Sequence, residues 1–252
     1  MPNKFAIVYF TGTNNSQYLA TRIASFTQAD LFNMVGESVS EIDFSVYEGI
    51  GIVVPVYCGG IPNFAVDFIS KTLGKYKNKY HFCILNYGGN RMNAETVVTK
   101  FYADAGLNLT YYNALKMPEN CNVLFSVPSK DNIQKVLNAA LEKLPEIADD
   151  ILKQRKSKPA GKKFYNLLTI PFYNFLRKHW KKASNKFNLA GCNRCGLCVK
   201  ECPTKNIKFR DSQIFFGNDC EFCLRCLNIC PRGALSMWRA KINGPRYFNT
   251  FK

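Results

Sequence analysis

The chain has 252 residues, 47% of them hydrophobic, and carries 34 Lys/Arg against 18 Asp/Glu for a formal net charge of +16. That length allows one full core and a second, smaller one, and the hydrophobic content excludes a disordered chain. No apolar run approaches the roughly 18 residues of a membrane span, and the start, MPNKFAIVYF, shows no charged leader with a cleavage site.

The first elements alternate in type. KFAIVYF (4–10), DLFNMV (30–35), GIVVPVY (51–57), HFCILNY (81–87) and LTYYNALKM (109–117) are short β-branched or aromatic runs that read as strands. Between them, 16–26, 63–73, 94–105 and 131–144 have helical spacing. In the last, Ile133, Val136, Leu137, Ala140, Leu141 and Leu144 share one face. Near-continuously apolar strands separated by helices imply a parallel sheet covered on both sides. Five such units suit a doubly wound sandwich whose ligand lies beyond the carboxyl ends of the strands.

Charge then changes along the chain. Residues 1–150 carry 12 Lys/Arg and 14 Asp/Glu, whereas residues 151–252 carry 22 and 4, and the stretch 151–191 holds 11 basic residues and no acid. Within it, KKFYNLLTIPFYNFLRKHWKKASNKF mixes aromatics with lysines, and Pro171 divides it as the first residue of a second helix. Three readings stand: two helices packed across the domains with a solvated basic face, peripheral membrane contact through 160–187, or docking of an acidic redox protein. Nucleic acid is attracted by the same field, but no RNA-recognition motif accompanies it, so it is not the expected partner.

Eleven cysteines in a chain expected to be cytoplasmic and reduced point to metal rather than disulfides. Cys192, Cys195, Cys198, Cys202 and Pro203 recur 28 residues later as Cys220, Cys223, Cys226, Cys230 and Pro231. The spacing C-x2-C-x2-C-x3-C-P is an iron–sulfur signal, because a cubane takes three closely spaced thiolates on one side and a fourth from another direction. Zinc is the competing reading, but it takes cysteines in separated pairs, and a third Cys at the same interval would be surplus.

Over about 50 residues this repeat resembles the bacterial two-cluster ferredoxins. That likeness implies two [4Fe–4S] clusters, one on Cys192, Cys195, Cys198 and Cys230, the other on Cys220, Cys223, Cys226 and Cys202. Lys205 and Asn206 depart from the Gly-Ala seen at 233–234. Arg194, Lys200, Lys205, Lys208, Arg210, Arg225, Arg232 and Arg239 bring positive charge to the ligands, which favours the reduced clusters and acidic partners.

Three loops at successive strand ends, YFTGTNNSQYLA (9–20), PVYCGGIPNF (55–64) and NYGGNRMNA (86–94), converge by the geometry of such a fold. From residues alone, Thr11-Gly12-Thr13-Asn14-Asn15-Ser16 reads either as a helix cap or as a phosphate cradle. It lacks the Gly-Lys-Ser/Thr of a nucleoside triphosphate site and the glycine pattern of a dinucleotide site. The loops and the layout resemble flavodoxin–ferredoxin fusion proteins of anaerobes. That resemblance implies an FMN phosphate on Thr11, Gly12, Thr13, Asn14, Asn15 and Ser16. It also implies an isoalloxazine between Pro55, Val56, Tyr57, Gly59 and Gly60 on one side and Asn86, Tyr87, Gly88, Gly89 and Asn90 on the other. Asn14 stands where that family has glycine. Cys58 is a small buried residue or touches the ring, Cys83 and Cys121 are apolar fillers, and His81 is structural.

The whole is expected to be α/β: a flavodoxin-like doubly wound five-stranded parallel sheet at 1–148, a basic helical linker at 149–189 and a small α+β two-cluster domain at 190–252. The expected function is electron transfer between FMN and the clusters, the alternative a flavin-dependent reductase of a small-molecule acceptor. No catalytic acid, base or nucleophile set can be assembled.

Overall fold

Strand β1 (Phe5–Tyr9) is buried along its whole length, and its side-chain alternation builds both faces of the core. Ala6 and Val8 point to one layer, Phe5, Ile7 and Tyr9 to the other. With β2 (Asp30–Asn33), β3 (Gly49–Pro55), β4 (Tyr80–Tyr87) and β5 (Tyr111–Lys116) it forms a sheet of order β2-β1-β3-β4-β5. All four pairings are parallel. This is the flavodoxin-like order, with its switch point between β1 and β3. The computed structural model describes residues 4–36, 39–157, 166–211 and 213–250.

Helix α1 (Asn15–Thr27), α4 (Lys130–Leu141) and α5 (Leu144–Leu152) cover one face, where Leu19, Ile23, Leu137, Ile147 and Ile151 join Phe5, Ile7, Phe82 and Ile84. The other face is closed by residues 63–75 and α3 (Ala94–Asp104) through Phe68, Ile69, Leu73, Val98 and Tyr102. The helix expected at 131–144 spans Lys130–Leu141, and a second begins at Leu144 with Pro145 in its first turn. Residues 63–73, expected as one helix, begin as α2 (Asn63–Asp67) and widen into a π-turn at Phe68–Thr72. There the Ser70 hydroxyl donates to the Val66 carbonyl at 2.9 Å, competing for it with the backbone.

The division expected at Pro171 is not found. Helix α6 (Asn166–Trp180) runs through it, losing only the one N–H that proline lacks. The preceding basic residues 158–165 lie outside the described residues. Tyr173 and Trp180 of α6 pack with Val97 and Ala183, whereas Leu168, Phe172 and Phe175 face outward at 76%, 51% and 57% exposure. Among the described residues no helix is long and apolar enough to cross a membrane.

The last part repeats itself: β6 (Asn188–Leu189) pairs with β9 (Leu235–Ser236), and β7 (Ile207–Arg210) with β8 (Gln213–Phe216), both antiparallel. Two short helices, α7 (Leu197–Lys200) and α8 (Arg225–Ile229), follow corresponding cysteines.

Candidate functional site

The eight repeated cysteines line two separate cavities. Cys192, Cys195, Cys198 and Cys230 line a small cavity of about 20 Å³, closed by Leu189, Ile214, Phe216 and Leu235. Cys202, Cys220, Cys223 and Cys226 line a second of about 20 Å³, closed by Phe187, Ile207 and Leu224. Each cage takes three thiols from one run and the fourth from the other, which is the crossing that the ferredoxin likeness implies.

The backbone that shapes the cages obeys the repeat. Arg194 and Phe222 hold left-handed φ of 60° and 53°, as do Gly196 and Leu224 at 75° and 57°. The amides of Arg194 and Phe222 donate to the sulfurs of Cys192 and Cys220, both at 3.3 Å, and that of Ala234 to Cys230 at 3.3 Å. Such N–H···S bonds stabilise sulfur charge and so favour the reduced cluster. Lys205, the departure from Gly, takes φ 54° against 53° at Gly233, so the turn survives with a side chain where none is favoured. Asn206 compensates by tying the loop: its Oδ1 accepts from Asp219 N at 2.7 Å and its Nδ2 donates to Ser184 Oγ at 3.0 Å.

Burial pushes the Cys198 thiol up to about 11, and the neighbouring Cys192 and Cys230 add to it. Burial likewise raises Cys223 to about 12 and Cys226 well above the ordinary thiol value, the latter reinforced by Cys223, Cys220 and Cys202. Such thiols stay protonated on their own, and a bound cationic iron centre would supply the charge that stabilises them as thiolates.

The cages differ in setting. Cys195 is exposed, whereas Cys202 and Cys223 are buried. The inner cage leans on the carboxyl ends of the sheet. Arg225, between two of its ligands, donates from Nε to the Gly12 carbonyl at 2.8 Å and from Nη2 to the Thr11 carbonyl at 3.0 Å, while Nη1 pairs with Glu201 at 3.3 Å. Glu221 caps the start of α2, accepting from the amide and side chain of Asn63 at 2.5 and 3.2 Å. Arg194, Lys200, Lys205, Lys208, Arg210, Arg232 and Arg239 are all exposed, so of the eight basic residues only Arg225 turns inward.

The expected flavin residues were tested one group at a time. Asn14 does adopt the left-handed turn at φ 69°. Around it, Thr13 Oγ1 accepts from Asn120 at 2.6 Å, Ser16 Oγ from Asn86 at 2.8 Å, and Asn15 Oδ1 from the Tyr247 hydroxyl at 2.8 Å. Asn15 Nδ2 donates to the Pro118 carbonyl at 3.0 Å. A Cβ on Gly12 would lie 2.6 Å from the Cys223 carbonyl oxygen and equally near the Tyr57 hydroxyl, so the turn has no open side there.

Of the two expected ring walls, Gly59 and Asn90 line one open cavity, whereas Tyr57, Gly60 and Gly88 pack against protein. The Gly60 amide closes a turn onto the Tyr57 carbonyl at 3.0 Å, and the Tyr173 ring lies flush on Gly60. Tyr57 meets Trp180 edge-on at 6.5 Å, and its hydroxyl is buried without a partner. Pro55 and Val56 continue β3 into this turn, Val56 N bonding the Asn86 carbonyl at 2.8 Å. On the other side Glu119 takes the Gly89 amide at 2.8 Å and packs on Gly88, beside the half-buried Tyr87. The groups of the Thr11–Ser16 turn that these contacts engage are chiefly acceptors: the Thr11, Gly12 and Thr13 carbonyls, Thr13 Oγ1, Ser16 Oγ and Asn15 Oδ1. An open cavity of about 620 Å³ lies nearby, lined by Cys58, Gly59, Asn90, Arg91, Leu168 and Phe172, away from the Thr11–Ser16 turn.

His81 is fully buried and its Nε2 meets the Tyr76 carbonyl at 2.8 Å, a structural role as expected. Arg225 was noted in the sequence only as charge, and Tyr173, Trp180, Glu119, Asn120, Tyr247 and Asn249 were not singled out for the roles they play. The only local sign was the run RYFNTF (246–251), which follows the repeat without a partner of its own.

A family profile described as 4Fe-4S dicluster domain matches residues 184–234. No curated protein matches the chain. Among solved structures, a flavoprotein from Bacteroides uniformis is 14% identical, with 55% of this chain and 99% of that one covered at a TM-score of 0.39. Megasphaera elsdenii flavodoxin is 18% identical, with coverage of 57% and 97% and a TM-score of 0.40. A flavodoxin from the domain Archaea is 14% identical, with coverage of 57% and 99% and a TM-score of 0.37. These scores are low, and the fold assignment rests on the strand order itself. A flavodoxin-like sheet followed by a 4Fe-4S dicluster domain gives this chain the build of a flavodoxin–ferredoxin fusion.

Proposed function

We propose that the protein is an electron carrier whose resident redox groups are two [4Fe–4S] clusters, exchanging electrons with an acidic redox protein. The observation that carries this reading is the pair of four-cysteine cages with crossed fourth ligands. The partner would meet the outer cage, where Cys195 is exposed and Lys200, Lys208, Arg210 and Arg232 are solvent-facing.

FMN as a further redox group is supported by the sequence likeness of Thr11–Ser16 to flavodoxin loops and by the strand order. It would add two-electron chemistry to two one-electron centres. The open cavity lined by both Gly59 and Asn90 adds room beside the expected ring loops.

The test is an anaerobic preparation assayed for iron, sulfide and flavin and then titrated with reductant. About eight iron and eight sulfide per chain with reversible bleaching are expected. Zinc in their place, or clusters that cannot be cycled, would end the reading.

A further inference from the structure

Helix α6 (Asn166–Trp180) has two unlike sides. Tyr173 and Trp180 turn inward against Val97 and Ala183, and Arg177 lies over the Phe101 and Tyr173 rings at 5.5 and 5.9 Å, so that side is committed to protein. Leu168, Phe172 and Phe175 follow one another at steps of four and three, which at 3.6 residues per turn sets them on one line down the opposite side. They are 76%, 51% and 57% exposed. His179, one turn further along that line, rests on Phe175 with the ring centroids 4.0 Å apart. Met92, itself 52% exposed, extends the row beyond the helix, because with Leu168 and Phe172 it lines the open cavity beside α6. Large apolar side chains bared in a row, and not scattered singly, mark an interaction surface.

The charge around this row has one sign. Lys178 in the helix and Lys181, Lys182 and Lys186 after it are solvent-facing, and the stretch 151–191 contains no acidic residue. Two acids of other elements come close, and each is paired: Asp219 with Lys181 at 3.6 Å, and the buried Glu95 with Arg91 at 3.9 Å.

We propose that this side of α6 docks on an anionic lipid surface. The helix lies in the headgroup plane, with Leu168, Phe172 and Phe175 in the acyl boundary and the lysines among the phosphates. Charge complementarity selects an anionic occupant, and the line itself selects lipid. Before His179 it presents only Leu, Pro and Phe side chains, so it offers no hydrogen bond to fix the register of a protein partner, whereas an acyl boundary requires none. The inference concerns α6 and does not depend on the two-cluster reading.

The test mixes the full chain, clusters assembled, with sedimenting vesicles of phosphatidylcholine alone or with about a third phosphatidylglycerol. The native protein should pellet with the anionic vesicles and stay in solution with the neutral ones, and high salt should weaken the binding. Phe172→Ser/Phe175→Ser should weaken it by at least about tenfold, and Lys178→Gln/Lys182→Gln should weaken it as well. All four side chains are solvent-facing, so both variants should keep the native melting temperature and iron content. Insertion of the line itself is read with Phe175→Trp, whose added emission should shift to the blue on anionic vesicles and be quenched by lipid brominated in its acyl chains.

No pelleting with anionic vesicles, equal pelleting with both kinds, pelleting that Phe172→Ser/Phe175→Ser leaves unchanged, or unshifted emission from Phe175→Trp would each overturn the proposal. So would retention of the native protein on an immobilised acidic ferredoxin that Phe172→Ser/Phe175→Ser abolishes, which would give this face to a protein. Iron is assayed on the same samples, so failure of the cluster reading shows separately.

Discussion

Gly12 is the narrowest point between the sheet and the inner cage, and Gly12→Ala probes it directly. The added methyl would sit 2.6 Å from the Cys223 carbonyl oxygen and 2.6 Å from the Tyr57 hydroxyl, well inside any ordinary carbon–oxygen contact. Neither neighbour can retreat freely, because Cys223 lines the inner cage and the Tyr57 ring is wedged against Phe10 and Trp180. Overpacking of this kind costs about 1–3 kcal/mol. In a domain of this size 2 kcal/mol lowers the melting temperature by roughly 4–8 °C. Gly12 does not have a positive φ, so alanine meets no backbone strain and the loss is assigned to contact alone.

The control is Gly74→Ala, whose new methyl would find only the Ala105 oxygen at 3.5 Å and two atoms at 4.0 Å. It should leave the melt within about 1 kcal/mol of native, in the stabilising direction. Calorimetry gives the melts, and hydrogen exchange of the Thr11–Ser16 amides reports whether the cage has lifted. Identical melts and protection for both substitutions would refute the packed interface.

Three other expectations can be checked alongside. Cys202→Ser should disturb the cluster held by Cys220, Cys223 and Cys226, not the one nearest in sequence, leaving the outer cluster's paramagnetic signal intact after reduction; loss of the outer signal alone would disprove the crossing. Gly60→Ala places a methyl against the Tyr173 ring and should loosen α6, costing about 1–3 kcal/mol and shifting the emission of Trp180; unchanged emission would count against the packing of that helix.

His81 is a pH probe. The Tyr76 carbonyl can only accept, so Nε2 carries the proton and buried Nδ1 is left bare. Burial holds its pKa below the usual imidazole value. The unfolded chain therefore binds the extra proton first: stability is full above about pH 6.5 and declines as pH falls below it toward the folded value. Denaturant melts across that range should show the decline, and His81→Gln should flatten it.

What was legible in the sequence is what local physics writes there. Five apolar runs became five parallel strands because strands buried on both faces carry no polar alternation, as FAIVY shows. The cages were legible because cubane geometry leaves few spacings, and a repeat of 28 residues states its own symmetry. Less was legible where a turn's surroundings come from far along the chain. Thr11–Ser16 keeps the pattern of an anion cradle, and nothing local announces that Arg225 and Asn249, more than 200 positions away, take its carbonyl oxygens. Pro171 carries a strong local signal for a helix start, but the packing of Tyr173 and Trp180 holds one helix through it.

The two halves of the cysteine repeat are equals in sequence and unequal in space. Only one is pressed to the sheet by Arg225 and Glu221, while the other shows Cys195 to solvent. With a cluster in each, a visitor from solvent would reach the first through the bare Cys195 and find the second behind two covered thiols, Cys202 and Cys223.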